Sequence, residues 1–240
     1  MSTARSTSAR DVIIACDFPS REQLFSFLDL FGESRPYLKI GMELFYATGA
    51  DMVRELKNRG HKIFLDLKVH DIPQTAHNTM RVLRDLDVDM TNLHCAGGIP
   101  MMEAALAGLT RDDGTRPLLI GVTQLTSTSA ETLRDQLLIT QPMPDVVAHY
   151  AANAKTAGLD GVVCSPHEAG IVHENLGEEF LTVTPGIRFA DAAADDQHRV
   201  TTPTQARHIG SDFIVVGRPI TAAPDPLAAY QRCVKEFVAE

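Results

Sequence analysis

Residues 11–22 read DVIIACDFPSRE, and this stretch decides between two architectures. DVIIACD (11–17) is a short, β-branched, nearly continuous apolar run, the character of a parallel strand buried on both faces. An open, doubly wound sheet would usually follow its first strand with a G-x-G-x-x-G turn. Here the turn is CDFPSRE (16–22), which has no glycine. Ser20 followed by Gln23 resembles a capping box and opens a helical pattern over REQLFSFLDLF (21–31). The first unit is therefore strand, turn and helix without a dinucleotide fingerprint, and the closed barrel is favoured.

The same alternation continues outward from it. Strand-like runs are YLKIG (37–41), KIFLDLK (62–68), MTNLHC (90–95), LLIGVTQL (118–125), GVVCS (161–165), FLTVTP (180–185) and FIVVGRP (213–219). Residues 43–57, 75–86, 145–157 and 226–238 carry apolar positions at helical spacing. Gly60, Gly158 and Gly210 fall where a helix would stop before the next strand. About eight β-α units with no shift in composition predict one (β/α)8 TIM barrel, an α/β fold, over residues 11–240. Residues 1–10 (MSTARSTSAR) are polar and Ser/Thr-rich without an apolar core, and are read as a disordered tail rather than a signal peptide.

Bulk properties narrow the function classes. A formal net charge of −9 argues against nucleic acid or an anionic membrane as the main partner. It leaves room for a phosphorylated small molecule, which needs only a local nest of donors and one or two cations. Cys16, Cys95, Cys164 and Cys233 lie far apart with no C-x-x-C pair, as expected of core thiols in a reducing compartment. No apolar run reaches the length of a membrane span, so a cytoplasmic protein is expected.

In such barrels chemistry collects at the C-terminal ends of the strands. The segment FLDLKVHDIPQT (64–75) places Asp66 and Lys68 two apart, on one face of a strand, with Asp71 just beyond in a loop before a helix that Pro73 helps to start. Lys39 can reach the same mouth from the neighbouring strand, and Asp17 ends the first one. A structural ion-pair network with Asp71 as an ordinary helix cap is the bland alternative. Four alternating charges on adjacent strands at the catalytic face favour chemistry over it. A second constellation, TPGIR (184–188) and VVGRPI (215–220), offers glycine N–H groups and one arginine each where these barrels commonly cradle a phosphate. Between them FADAAADDQHRVTTP (189–203) reads as a lid in which Gln197 adds an amide donor. The hydroxyls of TQLTSTS (123–129) could read a polar ring edge. His70, His77, His94 and His167 show no metal-binding spacing; His94, at a strand end, is the best candidate for a functional histidine, although a hydrogen-bonded structural role fits it better.

DLKVHDIPQT resembles the D-x-K-x-x-D-I-P-x-T signature of orotidine 5'-monophosphate decarboxylases, most nearly the bacterial branch. The resemblance runs through IACD, LKIG, GVTQLTS, VVCS, TPGIR, the DDQ-R-V segment and IVVGRPI, nearly the whole chain after residue 10. It implies a carboxy-lyase converting orotidine 5'-monophosphate to UMP in pyrimidine biosynthesis, without metal, flavin, pyridoxal or any other cofactor. It further implies Lys68 as general acid, Asp66 against the substrate carboxylate, and Lys39 and Asp71 completing the array. Asp71, Ile72 and Thr75 would reach the partner's site in a homodimer. Asp17 and Lys39 would hold the ribose, Thr126 the pyrimidine, and Arg188, Gln197, Gly217 and Arg218 the phosphate, with Pro185 among the substrate-binding positions. Relatives that share D-x-K-x-x-D but resemble magnesium-dependent sugar-phosphate enzymes remain an alternative, as does a non-catalytic barrel that binds a phosphorylated ligand.

Overall fold

The computed structural model describes residues 10–191 and 201–238. Eight parallel strands close into a barrel in sequence order: β1 (Asp11–Ala15), β2 (Tyr37–Gly41), β3 (Ile63–Val69), β4 (Met90–His94), β5 (Leu118–Val122), β6 (Gly161–Val163), β7 (Leu181–Thr184) and β8 (Phe213–Val216), with β8 pairing back onto β1. The helices are α1 (Arg21–Asp29), α2 (Met42–Thr48), α3 (Ala50–Asn58), α4 (Pro73–Arg84), α5 (Gly98–Leu109), α6 (Met143–Thr156), α7 (Pro166–Leu176), α8 (Pro203–Ile209), the short α9 (Arg218–Thr221) and α10 (Pro226–Phe237). The expected (β/α)8 barrel is the observed fold. None of these helices is long and apolar enough to cross a membrane.

Alternation along each strand divides the apolar side chains into two sets. Ile13, Tyr37, Phe64, Met90, Ile120, Leu181, Val183, Phe213 and Val215 fill the interior, while Val12, Ile14, Leu38, Ile40, Leu65, Leu93 and Leu119 pack outward beneath the helices. Both faces of the sheet are therefore dry, which is why the strands read as continuous apolar runs rather than alternating ones.

Two features depart from the sequence pattern. Residues 43–57 form two helices, because Gly49, at φ 72°, is the single residue between them, ending α2 and preceding α3. Helices α5, α7 and α8, which no sequence periodicity singled out, fill the remaining crossovers. α5 is apolar around most of its circumference and crosses α4 closely: a Cβ on Gly108 would stand 2.1 Å from the carbonyl oxygen of His77. The expected helix stops do hold, with Gly60, Gly158 and Gly210 at φ 87°, 84° and 98°.

At the N-terminal rim three even strands are each preceded by an aspartate. Asp89 accepts the Ile63 N–H at 2.7 Å, Asp160 the Leu119 N–H at 2.8 Å and Asp212 the Thr182 N–H at 2.8 Å. Each also meets a cationic or protonatable group, Lys57 at 2.6 Å, the Arg116 guanidinium in bidentate fashion and His173 at 3.1 Å. Every clamp joins an odd strand to the even strand after it. This end holds the barrel together and leaves the opposite end for chemistry.

Candidate active site

The C-terminal mouth carries a chain of alternating charges. Lys39 Nζ lies 3.1 Å from Asp17 Oδ1 and 3.4 Å from Asp66 Oδ2, and Lys68 Nζ lies 2.6 Å from Asp66 Oδ1. Strand register brings them together: Ala15 pairs with Lys39, and Gly41 with Asp66. Lys39 and Asp66 keep only 12% and 10% of their side-chain surface, whereas Asp17 at the lip keeps 61%. Burial alone would raise the Asp66 pKa, but Lys39, Lys68 and hydrogen bonds from Lys68 and Asn92 outweigh it and hold the carboxyl below its usual range. For Lys39 burial pulls the other way, and Asp66 and Asp17 more than restore the charge, leaving its pKa raised. The buried pair thus remains ionised, the condition under which such an array avoids the full desolvation penalty. Gly41 leaves room for it, since a Cβ there would stand 3.3 Å from both Asp17 Oδ1 and Lys39 Nζ.

Asp66 and Lys68 meet as their spacing predicts, but not on a regular strand. Lys68 adopts φ 51°, a left-handed conformation costing roughly 1–2 kcal/mol for a residue with a Cβ. The β3–β4 ladder breaks between Leu65 and Val69. Asn92 of β4 occupies the break, and the sequence reading missed it. It is buried, accepts the Lys68 N–H at 2.8 Å and donates to Asp66 Oδ1 at 2.7 Å. The available signal was an asparagine in the middle of the strand MTNLH (90–94), where a buried amide needs partners.

Asp71 stays outside this array within one chain: it is exposed, and its carboxylate accepts the Ile72 N–H at 2.7 Å. Ile72 and Thr75 are exposed beside it, Ile72 with 67% of its surface free, so the start of α4 presents Asp71, Ile72 and Thr75 outward together. His94 is half-buried at the end of β4, its ring centroid 5.6 Å from that of His70. Burial, then His70 and Lys68, push its pKa down and favour a neutral imidazole.

The phosphate-type turns follow β7 and β8 as expected. Pro185 and Gly186, at φ 85°, leave β7, and Arg188 follows at the base of the next loop, where its N–H bonds Thr201 O at 3.1 Å. Gly217 links β8 to α9, which begins with Arg218. Thr126 lies exposed in the turn after β5. Gln197 falls outside the described residues, as does most of the segment read as a lid.

Comparison with known proteins adds a match to the orotidine 5'-phosphate decarboxylase / HUMPS family over residues 10–233. The chain belongs to this family. Among curated relatives, an orotidine 5'-phosphate decarboxylase of Geobacillus sp. (strain WCH70) is 51% identical over 231 residues, covering 95% of this chain and 97% of the relative. One of Streptococcus thermophilus (strain ATCC BAA-491 / LMD-9) is 55% identical over 219 residues, covering 91% and 93%. The crystal structure of orotidine 5'-phosphate decarboxylase from Lactobacillus acidophilus superposes with a TM-score of 0.86 at 45% identity, covering 95% of this chain and 99% of that one. An uncharacterized conserved protein from Geobacillus kaustophilus gives 0.84, also at 45% identity, covering 94% and 99%. With relatives this similar over nearly their full length, the chain is an enzyme of the orotidine 5'-phosphate decarboxylase family.

Proposed function

We propose that this enzyme decarboxylates orotidine 5'-monophosphate to UMP and CO2, the closing step of UMP biosynthesis, with Lys68 as the proton donor. The observation that carries the reading is the buried chain Lys39–Asp66–Lys68 at the barrel mouth, in which an ammonium is fixed 2.6 Å from a carboxylate held ionised. Breaking the bond between C6 and the carboxylate leaves the electron pair on C6, where the pyrimidine ring delocalises it poorly. The Lys68 ammonium stabilises that pair as it forms, then gives its proton to C6 and is recharged from water. Asp66 stands where the substrate carboxylate would face it and disfavours the ground state more than the departing CO2. No step in this scheme calls on a metal or organic cofactor.

Binding groups follow the same division of labour. Asp17 and Lys39 take the ribose hydroxyls, Thr126 the pyrimidine edge, and Arg188, Gln197, Gly217 and Arg218 the phosphate beside Pro185. Binding energy from the distant phosphate offsets the cost of bringing a carboxylate against Asp66. Asp71, Ile72 and Thr75 project from one protomer into the site of its partner, so the working form is a homodimer.

The test is the fall in orotidine 5'-monophosphate absorbance, with and without EDTA, for wild type and Lys68→Ala. Turnover that survives EDTA and drops about 10⁴-fold or more in Lys68→Ala is expected, because the variant loses both the general acid and the electrostatic contribution. A folded wild-type protein without turnover would overturn the assignment. EDTA-sensitive turnover of a sugar phosphate would move it to the magnesium-dependent branch.

A further inference from the structure

Three residues of β3, Asp66 to Lys68, lie opposite one residue of β4. Leu65 pairs with Thr91 and Val69 with Leu93, so Asn92 alone spans the break. The Lys68 N–H there donates to the Asn92 side-chain oxygen at 2.8 Å instead of to a strand carbonyl. The other end of the same amide donates to Asp66 Oδ1, which also receives Lys68 Nζ at 2.6 Å. We propose that Asn92 is a positioning residue for the reaction, a two-ended brace that holds the Lys68 main chain in its left-handed conformation and aims the Asp66 carboxylate at the Lys68 ammonium.

The chemistry of the position selects asparagine. The site needs one acceptor facing an N–H and one donor facing a carboxylate, on a stem short enough to lie between two strands. Reversing the amide would oppose donor to donor and oxygen to oxygen. Aspartate supplies the acceptor but turns a second carboxylate toward Asp66. Leucine fills the volume and supplies neither bond. Asn92 is 1% exposed and bonds to protein groups at both ends, so it acts through Lys68 and Asp66 rather than on the substrate. A proton donor displaced by about 1 Å loses on the order of 100-fold in rate.

The inference rests on the reading of Lys68 as proton donor, and the experiment separates the two. Wild type, Asn92→Leu and Asn92→Asp are compared for kcat on orotidine 5'-monophosphate and for UMP affinity, with folding checked by circular dichroism. Asn92→Leu is expected to lose on the order of 100-fold in kcat while UMP affinity changes only a few-fold, because the phosphate and ribose groups are untouched. Asn92→Asp, which keeps the acceptor for the Lys68 N–H but turns a carboxylate toward Asp66, is expected to lose kcat as well. Should Asn92→Leu fail to fold, a kcat loss in folded Asn92→Asp at retained UMP affinity supports the brace, and wild-type kcat in that variant overturns it. Parallel losses of kcat and UMP affinity mark general disruption and also overturn it. An inactive wild type fails the proposed function instead, and is read from the wild-type assay alone.

Discussion

Lys39 joins the two halves of the charge chain, since its ammonium lies within reach of both Asp17 and Asp66. Burial opposes the charge on Asp66, and the positive charges of Lys39 and then Lys68, with hydrogen bonds from Lys68 and Asn92, offset it. Lys39→Met therefore moves the Asp66 titration midpoint upward, which carboxyl carbon NMR would record; an unmoved midpoint would mean that Lys68 and Asn92 suffice. A depressed carboxyl stabilises the fold above its ordinary value of 3.8 and ceases to do so as pH falls through the depressed one, so Lys39→Met, which narrows the gap between the two values, reduces the stability lost to Asp66 on acidification. The charged residues were legible because four alternating charges on adjacent strand ends favour chemistry over a structural ion-pair network. Asn92 and the left-handed Lys68 were not, because a strict two-residue period gives no sign of a broken ladder. Asp71 shows another limit: its spacing placed it with the lysines, whereas within one chain it faces outward.

Helix α4 carries Asp71, Ile72 and Thr75 at its leading end, and α5 holds α4 in place. Their close approach depends on Gly108, whose missing side chain admits the His77 carbonyl. Gly108→Ala forces the two helices apart and is expected to destabilise by about 1–3 kcal/mol, the usual penalty of overpacking, seen as a lower urea midpoint. An unchanged midpoint would show that the α4–α5 contact is loose. Strands were easier to read than helices for a physical reason. Each strand is buried on both faces and stands out as an apolar run, while α5 is nearly all apolar and lacks the one-sided stripe that marks a helix. The division of residues 43–57 turns on Gly49 alone, a residue that helices also tolerate internally at a cost of ~1 kcal/mol.

Across the whole molecule the two barrel ends differ in kind, one poised for chemistry and the other tied by aspartate clamps. His173 belongs to the tied end, and its hydrogen bond to Asp212 is the main cause of its raised pKa, with burial opposing. That contribution is complete below the ordinary value of 6.5 and is lost as pH rises through the raised one. The urea midpoint of wild type should accordingly decline relative to His173→Gln as pH rises above 6.5, and matching slopes would exclude the clamp as a pH-sensitive element. The proposed dimer has its own test at this scale. Mixing Lys68→Ala with Asp71→Ala subunits should restore about a quarter of wild-type activity, because half of the random dimers are mixed and each of those rebuilds one intact site. No recovery after subunit exchange would place both residues in the same protomer's site. Closure of the barrel was legible from eight apolar runs and the glycine-free first turn, but the clamps were not, since an aspartate before a strand looks like an ordinary turn residue. Their pairing has a consequence for cutting the chain. Each clamp lies within a consecutive odd–even strand pair, so a break at the Asp112–Gly114 turn severs none of them, while a break near Gly158 parts Asp160 from both Arg116 and the Leu119 N–H. Co-expressed fragments divided at the first point should reassemble into a working half-and-half enzyme far more readily than fragments divided at the second.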